Sequence, residues 1–236
     1  MPVPISRRLK CCAAMIPPGA RVADVGADHG YLGIYLLQNG LAAHVAACDL
    51  REGPLESARR NCARSRVEEN MDFYLSDGLR SVPKEAYDTV VCAGMGGDLI
   101  TKILSEAPWL KSGCYTLILQ PQAGINDLRV WLGENGFHEE KADLVRDAGF
   151  LYCAMRVKYT GCPGIPTPGQ QFLSPALLRS ASPLLGDYIA RLKNKMNKII
   201  LGLTKADSGT DPARLSYYRA ALRELEETEK EYGKGQ

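Results

Sequence analysis

From Val22 to Leu32 the chain reads Val-Ala-Asp-Val-Gly-Ala-Asp-His-Gly-Tyr-Leu. An apolar run enters Gly26, passes Asp28 and His29, reaches Gly30, and continues into residues suited to a helix. This pattern predicts a strand–loop–helix cradle, in which glycines admit a ligand close to the backbone and a helix N-terminus faces it. A dinucleotide loop of the G-x-G-x-x-G type would carry its second glycine where this chain has Asp28. A carboxylate there repels a pyrophosphate and suits a ligand with positive charge. S-adenosylmethionine, bearing a sulfonium and an ammonium group, is such a ligand.

Further acids recur along the chain. Asp49 lies ~20 residues past the loop, where a carboxylate can accept hydrogen bonds from both hydroxyls of a ribose. Asp77, within Ser76-Asp77-Gly78, suits the exocyclic amine of an adenine, with Gly78 leaving room for the ring. Singly, each acid has a plainer reading as a helix or turn cap; their joint spacing favours a cofactor site. The expected donor-binding set is Asp24, Gly26, Asp28, His29, Gly30, Asp49, Leu50, Asp77, Gly78, Gly94 and Met95. His29, with an unperturbed pKa of ~6.5, could work as an acid–base group. A departing thioether needs no proton, so the expected role is positioning, either at the methionine end of the donor or on Asp28; a purely structural histidine is the alternative.

Gly94-Met95-Gly96-Gly97 makes a wide, backbone-lined mouth, with neither the asparagine nor the aromatic ring of the Asn-Pro-Pro-Tyr motifs that grip exocyclic amines. Gln120-Pro121-Gln122 offers amide donors and acceptors to a base edge. The residues expected at the reacting end are Asp28, Gly94, Met95, Gly96 and Gln120, with Asp98 a further acceptor for charge on an exocyclic amine.

The elements that must position these residues follow from hydrophobic periodicity. Strands are expected at 21–25, 45–48 ending in Asp49, 71–75, 87–93 and 115–119, and helices at 5–16, 31–39, after Asp49 through Arg66, 98–107 and 125–134. Two runs, 137–146 and 150–159, predict a hairpin turning at Asp147-Ala148-Gly149. Alternating strands and helices imply an α/β fold: a mostly parallel, doubly covered sheet, here of seven strands with the last inserted antiparallel. That arrangement resembles the Rossmann-like class I S-adenosylmethionine-dependent methyltransferase fold, in which ligands sit at the carboxyl ends of the strands. Residues 1–160 are the expected donor-binding domain, and 161–183, rich in proline and glycine, a linker or wrapping segment. In 184–236, Leu185, Ile189, Leu192, Met196, Ile199 and Leu203, then Leu215, Tyr218, Leu222, Leu225 and Tyr232, predict an antiparallel coiled-coil hairpin. Gly209 and Asp211-Pro212 are its expected connection.

The 236 residues suffice for one α/β domain plus an appendage, and 45% hydrophobic with 24% charged residues is an ordinary globular composition. No apolar run approaches the ~18–20 residues of a membrane span, and Pro17-Pro18-Gly19 spoils the N-terminus as a signal peptide. A cytoplasmic protein is expected. The eight cysteines include no C-x-x-C, and no histidine is paired with one at ligand spacing, so inert thiols and no metal are expected.

The first loop, Asp49, Ser76-Asp77-Gly78-Leu79, Ala93-Gly94-Met95-Gly96-Gly97 and Leu119-Gln120-Pro121-Gln122 together resemble the bacterial TrmK family of tRNA (adenine-22-N1)-methyltransferases. The segment from Phe172 to Leu185 and the C-terminal hairpin are similar too, so the likeness spans nearly the whole chain. The resemblance implies methyl transfer from S-adenosylmethionine to nitrogen 1 of an adenine in the D-arm region of tRNA. Adenine N1 has an in-plane lone pair and needs no prior deprotonation.

Net charge is only +2, but its placement suits an RNA partner: Arg7, Arg8 and Lys10 near the N-terminus, Arg59 and Arg60 in the third helix, and Arg191, Lys195 and Lys198 in the first hairpin helix. A merely solvated helix face is the plainer reading. The first hairpin helix is expected to track phosphates while the acidic second one packs against it, and a monomer is expected. Two other functions fit the same residues: methyl transfer to a small molecule or protein, and a non-catalytic module that binds the donor or RNA.

Overall fold

The computed structural model describes residues 3–205 and 211–233. The elements run α1 (Arg7–Ala13), β1 (Ala20–Val25), α2 (Tyr31–Gln38), β2 (Ala42–Asp49), α3 (Glu52–Ser65), β3 (Met71–Leu75), β4 (Thr89–Gly96) and α4 (Gly97–Ser105). They continue with β5 (Thr116–Ala123), α5 (Ile125–Glu134), β6 (Phe137–Asp147), β7 (Phe150–Tyr159), α6 (Pro175–Arg179), α7 (Leu185–Lys205) and α8 (Pro212–Gly233). One seven-stranded sheet has the order β3-β2-β1-β4-β5-β7-β6. Strands β1 to β5 pair in parallel, and β7 is antiparallel to both β5 and β6. The strand order reverses between β1 and β4, the switch point at which open α/β sheets bind ligands.

Alternate residues of the central strands feed opposite faces of the sheet. Val22 of β1 packs with Cys12, Leu32, Ile34 and Leu55 from α1 to α3. Its neighbours Ala23 and Val25 pack with Ile100, Leu128 and Leu177 from α4 to α6. The second of these cores also takes in Leu185, Ile189, Leu192 and Met196 of α7 and Ala221 and Leu225 of α8, so the base of the hairpin is part of the sheet's own core. Gly209 lies outside the described residues, as does the side chain of Tyr232.

Three boundaries differ from the periodicity. Helix α1 is confined to seven residues, opened by Ser6, whose Oγ accepts from the Leu9 amide. Strand β2 begins at Ala42 rather than Val45, because Ala42 and His44 pair with Ala20 and Arg21 whatever their hydropathy. Strand β5 runs on through Gln120-Pro121-Gln122 to Ala123, paired to the end of β4 across two register irregularities at Ala93/Met95 and Met95/Gly96. A bulged ladder of this kind tolerates the proline and re-aims side chains at the strand ends.

The wrapping segment is stapled down by Arg129 of α5. The buried guanidinium pairs with Glu139 (Nε–Oε2 2.9 Å) and donates to the carbonyls of Gln171 (3.2 Å) and Phe172 (2.9 Å). Ser174, the N-cap of α6, hydrogen-bonds the same Glu139. Among the described residues no helix is long and apolar enough to cross a membrane, and no group of three His, Cys, Asp or Glu side chains could hold a metal. The cysteines are free: Cys12, Cys48, Cys62, Cys92 and Cys153 are buried, whereas Cys114 and Cys162 are exposed.

Candidate active site

Strand β1 delivers the first loop with Gly26 at φ 71°, Asp28 at 51° and Gly30 at 73°. Left-handed backbone is costly for most side chains, and a short polar residue such as aspartate is among the few that accept it. The amides of Gly26 and Ala27 both donate to the carbonyl of Cys48 (2.8 and 3.0 Å), which ties the loop to β2. The Asp28 amide donates to Asp49 Oδ2 (3.3 Å), and Asp49 Oδ1 accepts from the Arg51 amide (3.0 Å). Asp49 is therefore buried and oriented at the end of β2, while the Asp28 side chain stays exposed with His29 Nε2 3.6 Å from its Oδ2. The His29 ring sits beside Tyr31, with centroids 5.6 Å apart. A side chain at Gly30 would meet Ala58 at 2.9 Å, so α3 crosses close against the start of α2.

Asp24 lies one residue inside the strand and is buried. Burial, with repulsion from Asp49 added, pushes its carboxyl up to about 7. At the end of β3, the Ser76 amide donates to the Asp49 carbonyl (2.9 Å), joining the second and third strand ends. Asp77 pairs with Arg80 (3.1 Å), which also reaches Glu106 (3.1 Å). Gly78, at φ 62°, packs against Ile103. Leu50 and Leu75 stand beside these carboxylates with 67% and 54% of their surface exposed, an apolar lip of unusual prominence for residues of this kind.

Gly94, Met95 and Gly96 end β4 next to this loop. A side chain at Gly26 would strike Met95 Cε at 2.5 Å, so the two strand ends touch. Gln120 is fully buried across from them, and its amide is engaged at both ends. Oε1 accepts from Arg8 Nη1 (2.6 Å) and from the Gly94 amide (3.1 Å), and Nε2 donates to the Pro121 carbonyl (3.0 Å). Those partners fix which end of the amide is oxygen. Gln120 thus holds the mouth in shape and has no free edge for a base. Asp98 stands exposed in the first turn of α4, close to Gly124.

The basic residues fall into three places. Arg8 points inward to Gln120 with its guanidinium over the Tyr152 ring (5.9 Å), whereas Arg7 and Lys10 of the same helix are exposed. Arg191, Lys195 and Lys198 line a groove of about 790 Å³ between α7 and the β6–β7 turn, where Arg146 faces them. A smaller cleft of about 150 Å³ shares Arg191 and Lys195 with that groove and reaches Pro121 and Gln122 at the end of β5. Arg59 and Arg60 lie apart on α3, Arg59 over the Phe73 ring (4.6 Å) and Arg60 beside Glu56 and Ser57. Five strand steps of ~4.8 Å separate β3, under α3, from β7, roughly 24 Å in all.

The sequence did not point to Arg80, Leu75 or Tyr152, nor to an inward Arg8. Arg8 and Gln120 are 112 residues apart, and only the packing of α1 across the strand ends brings them together.

Residues 5–155 match a methyltransferase domain family. The chain is 32% identical over 190 residues to a Bacillus subtilis tRNA (adenine(22)-N(1))-methyltransferase, covering 80% of this chain and 76% of that one. It is also similar to the solved B. subtilis m1A22 tRNA methyltransferase TrmK, at 26% identity and a TM-score of 0.84, over 95% of this chain and 98% of that one. A Streptococcus pneumoniae protein solved in complex with S-adenosyl-L-methionine aligns at 27% identity and a TM-score of 0.79, over 95% and 99% of the two chains.

Proposed function

This chain belongs to the TrmK family of methyltransferases, and from that premise we propose that it moves a methyl group from S-adenosylmethionine to N1 of adenine 22 in tRNA. The observation that carries the reading is the likeness to the B. subtilis enzyme along 95% of the chain, hairpin included. Methyl transfer to a small molecule or a protein gains no support from these similar proteins.

The site suits the donor in its charge and its apolar lip. Asp49 would take the ribose hydroxyls and Asp77 the adenine amine, and exposed Leu50 and Leu75 offer apolar surface for a planar ring. Gly26 and Gly30 give the loop the left-handed turns that bring its backbone to the strand ends, where Asp24, Asp28 and His29 would answer the charged groups of the methionine half. Bound there, S-adenosylmethionine supplies a methyl group on a sulfonium. The task left to the protein is alignment in a dry pocket, an effect worth ~7–11 kcal/mol in well-oriented systems. Gly96 leaves the approach open, and Gln120 fixes the Gly94 amide at its edge. No residue has to remove a proton from N1. Asp28 and Asp98 are the exposed carboxylates able to accept from the base's exocyclic amine as it gains charge.

In folded RNA the target base has to leave its stack. The Arg146–Arg191–Lys195–Lys198 groove is the proposed phosphate track, with Arg7, Lys10, Arg59 and Arg60 as outlying contacts. A tRNA substrate places its work in the cytoplasm, and a monomer fits the surface: among the described residues the large exposed apolar side chains away from the site, Leu99, Phe150, Ile165 and Leu201, are spread over separate elements.

The test is incubation with labelled donor and a tRNA transcript, followed by digestion to nucleosides. Label should appear in 1-methyladenosine and vanish when adenine 22 is replaced by guanine. Label elsewhere in the tRNA, or none, overturns the reading.

A further inference from the structure

Arg8 is the one basic residue of the expected RNA-binding set that enters the site. Its Nη1 donates to the buried Gln120 Oε1, and it lies so close to Gly94 that a side chain there would meet Nη1 at 2.9 Å. The Tyr152 ring backs the guanidinium at 5.9 Å. These neighbours fix the group on two sides and occupy one of its five N–H donors. Among the described residues no carboxylate pairs with Arg8, and the other arginines without one, such as Arg7, Arg59 and Arg191, are exposed where Arg8 is half-buried. A half-buried guanidinium held in place without an anion is arranged for one that arrives.

The chemistry at this place restricts what that anion is. Methylation at N1 leaves the base cationic, and a bare guanidinium at the mouth would oppose that charge. A phosphodiester on the same nucleotide cancels it. We infer that Arg8 is a positioning residue that grips the phosphate next to the target adenosine and so holds the turned-out nucleotide at Gly94. Gln120 keeps the fork aimed and Tyr152 supports its face. This assigns Arg8 a single phosphate inside the site, distinct from the α7 groove, and rests on the tRNA reading above.

The experiment compares Arg8→Ala, Arg8→Lys and Gln120→Glu with the unaltered protein for methylation of a tRNA transcript over a range of salt concentrations. Donor affinity, read by calorimetry, shows that each variant is folded. Arg8→Ala should raise the KM for tRNA about tenfold or more and lower the slope of log KM against log salt by about 0.7–0.9, the signature of one phosphate no longer neutralised. Arg8→Lys, keeping the charge without the fork, should retain most of that slope with a raised KM. Gln120→Glu should imitate Arg8→Ala, since its carboxylate pairs with the guanidinium and removes it from service. An unchanged slope in Arg8→Ala, or a wild-type KM in Gln120→Glu, overturns the inference. A loss confined to donor affinity does so as well, by making Arg8 a support for the loop. Absence of 1-methyladenosine with the unaltered protein is a different result, and it defeats the tRNA reading itself.

Discussion

The amide of Asp28 and the carboxylate of Asp49 are joined by a hydrogen bond of 3.3 Å, so the loop after β1 and the end of β2 form one unit. Asp49 thereby shapes the loop, and the proposed reading gives it a second task, holding the donor. Charge-assisted hydrogen bonds are worth ~1.5–3 kcal/mol each, so Asp49→Ala should weaken donor binding by about 10- to 100-fold. Asp49→Asn, which keeps the shape, should fall between. Calorimetry with the demethylated product reads both, and an unchanged Kd in Asp49→Ala removes the acid from the site.

Two glycines should respond differently to a methyl group. At Gly97 the added carbon would lie 2.4 Å from the Gly124 carbonyl oxygen, backbone against backbone, forcing the starts of α4 and α5 apart. At Gly26 it meets only the movable tip of Met95, leaving the left-handed backbone as the main penalty, ~1–2 kcal/mol. Urea denaturation should therefore find Gly97→Ala the less stable of the two. Gly26→Ala should lose activity beyond its loss of stability, because Met95 is pushed into the mouth.

Asp24 should make donor binding pH-dependent. Its folded value of about 7 lies above the ordinary 3.8, so the fold favours the protonated form. That stabilisation is complete below about pH 4 and is lost as pH rises through 7. A cationic donor favours the carboxylate instead, so its affinity should rise with pH and level off above 7. At pH 6 binding should be about tenfold weaker than on the plateau, with proton release on binding. Calorimetry in buffers of different ionisation enthalpy measures both, and Asp24→Asn should flatten the profile.

Replacing Arg191, Lys195 and Lys198 together by alanine should lower the salt slope for tRNA by about 2–3, near 0.7–0.9 for each phosphate released. Donor affinity should stay within about twofold of the starting value, because well-separated sites couple by only about 0.3–0.5 kcal/mol. Filter binding over a salt series checks this, and an unchanged slope places the RNA elsewhere.

Arg129 should be the most costly residue to truncate outside the site. Arg129→Ala strands Glu139 and frees the Gln171 and Phe172 carbonyls, a change of about 3–5 kcal/mol in buried pairs of this kind. Thermal unfolding should show the loss, and proteolysis should reach the segment at 161–183 first.

The loop at Gly26–Gly30 is legible in the sequence because its signal is local: apolar run, glycines and helix follow one another within a dozen positions. The same holds for the sheet's repeating units and for the hairpin helices, whose apolar spacing survives in α7 as buried Leu185, Ile189, Leu192 and Met196. Gln120 stands out in the sequence as a polar residue at a strand end, but its role as a brace does not, since its three partners come from α1, β4 and its own neighbour. The extension of β5 through Gln-Pro-Gln is hidden because polar residues and a proline speak for a loop, whereas pairing with a bulged β4 decides the matter. Arg8 looks like one of several exterior charges; nothing in its neighbours Arg7 and Leu9 tells that it turns inward.

Because Leu185 to Met196, Ala221 and Leu225 share one core with the sheet, the α7 groove cannot swing like an arm on a hinge. On the proposed reading, with tRNA in that groove, the span to Gly94 is set by the fold as in a caliper, and an RNA would be accepted or refused by whether its own dimensions set the right nucleotide at the far jaw.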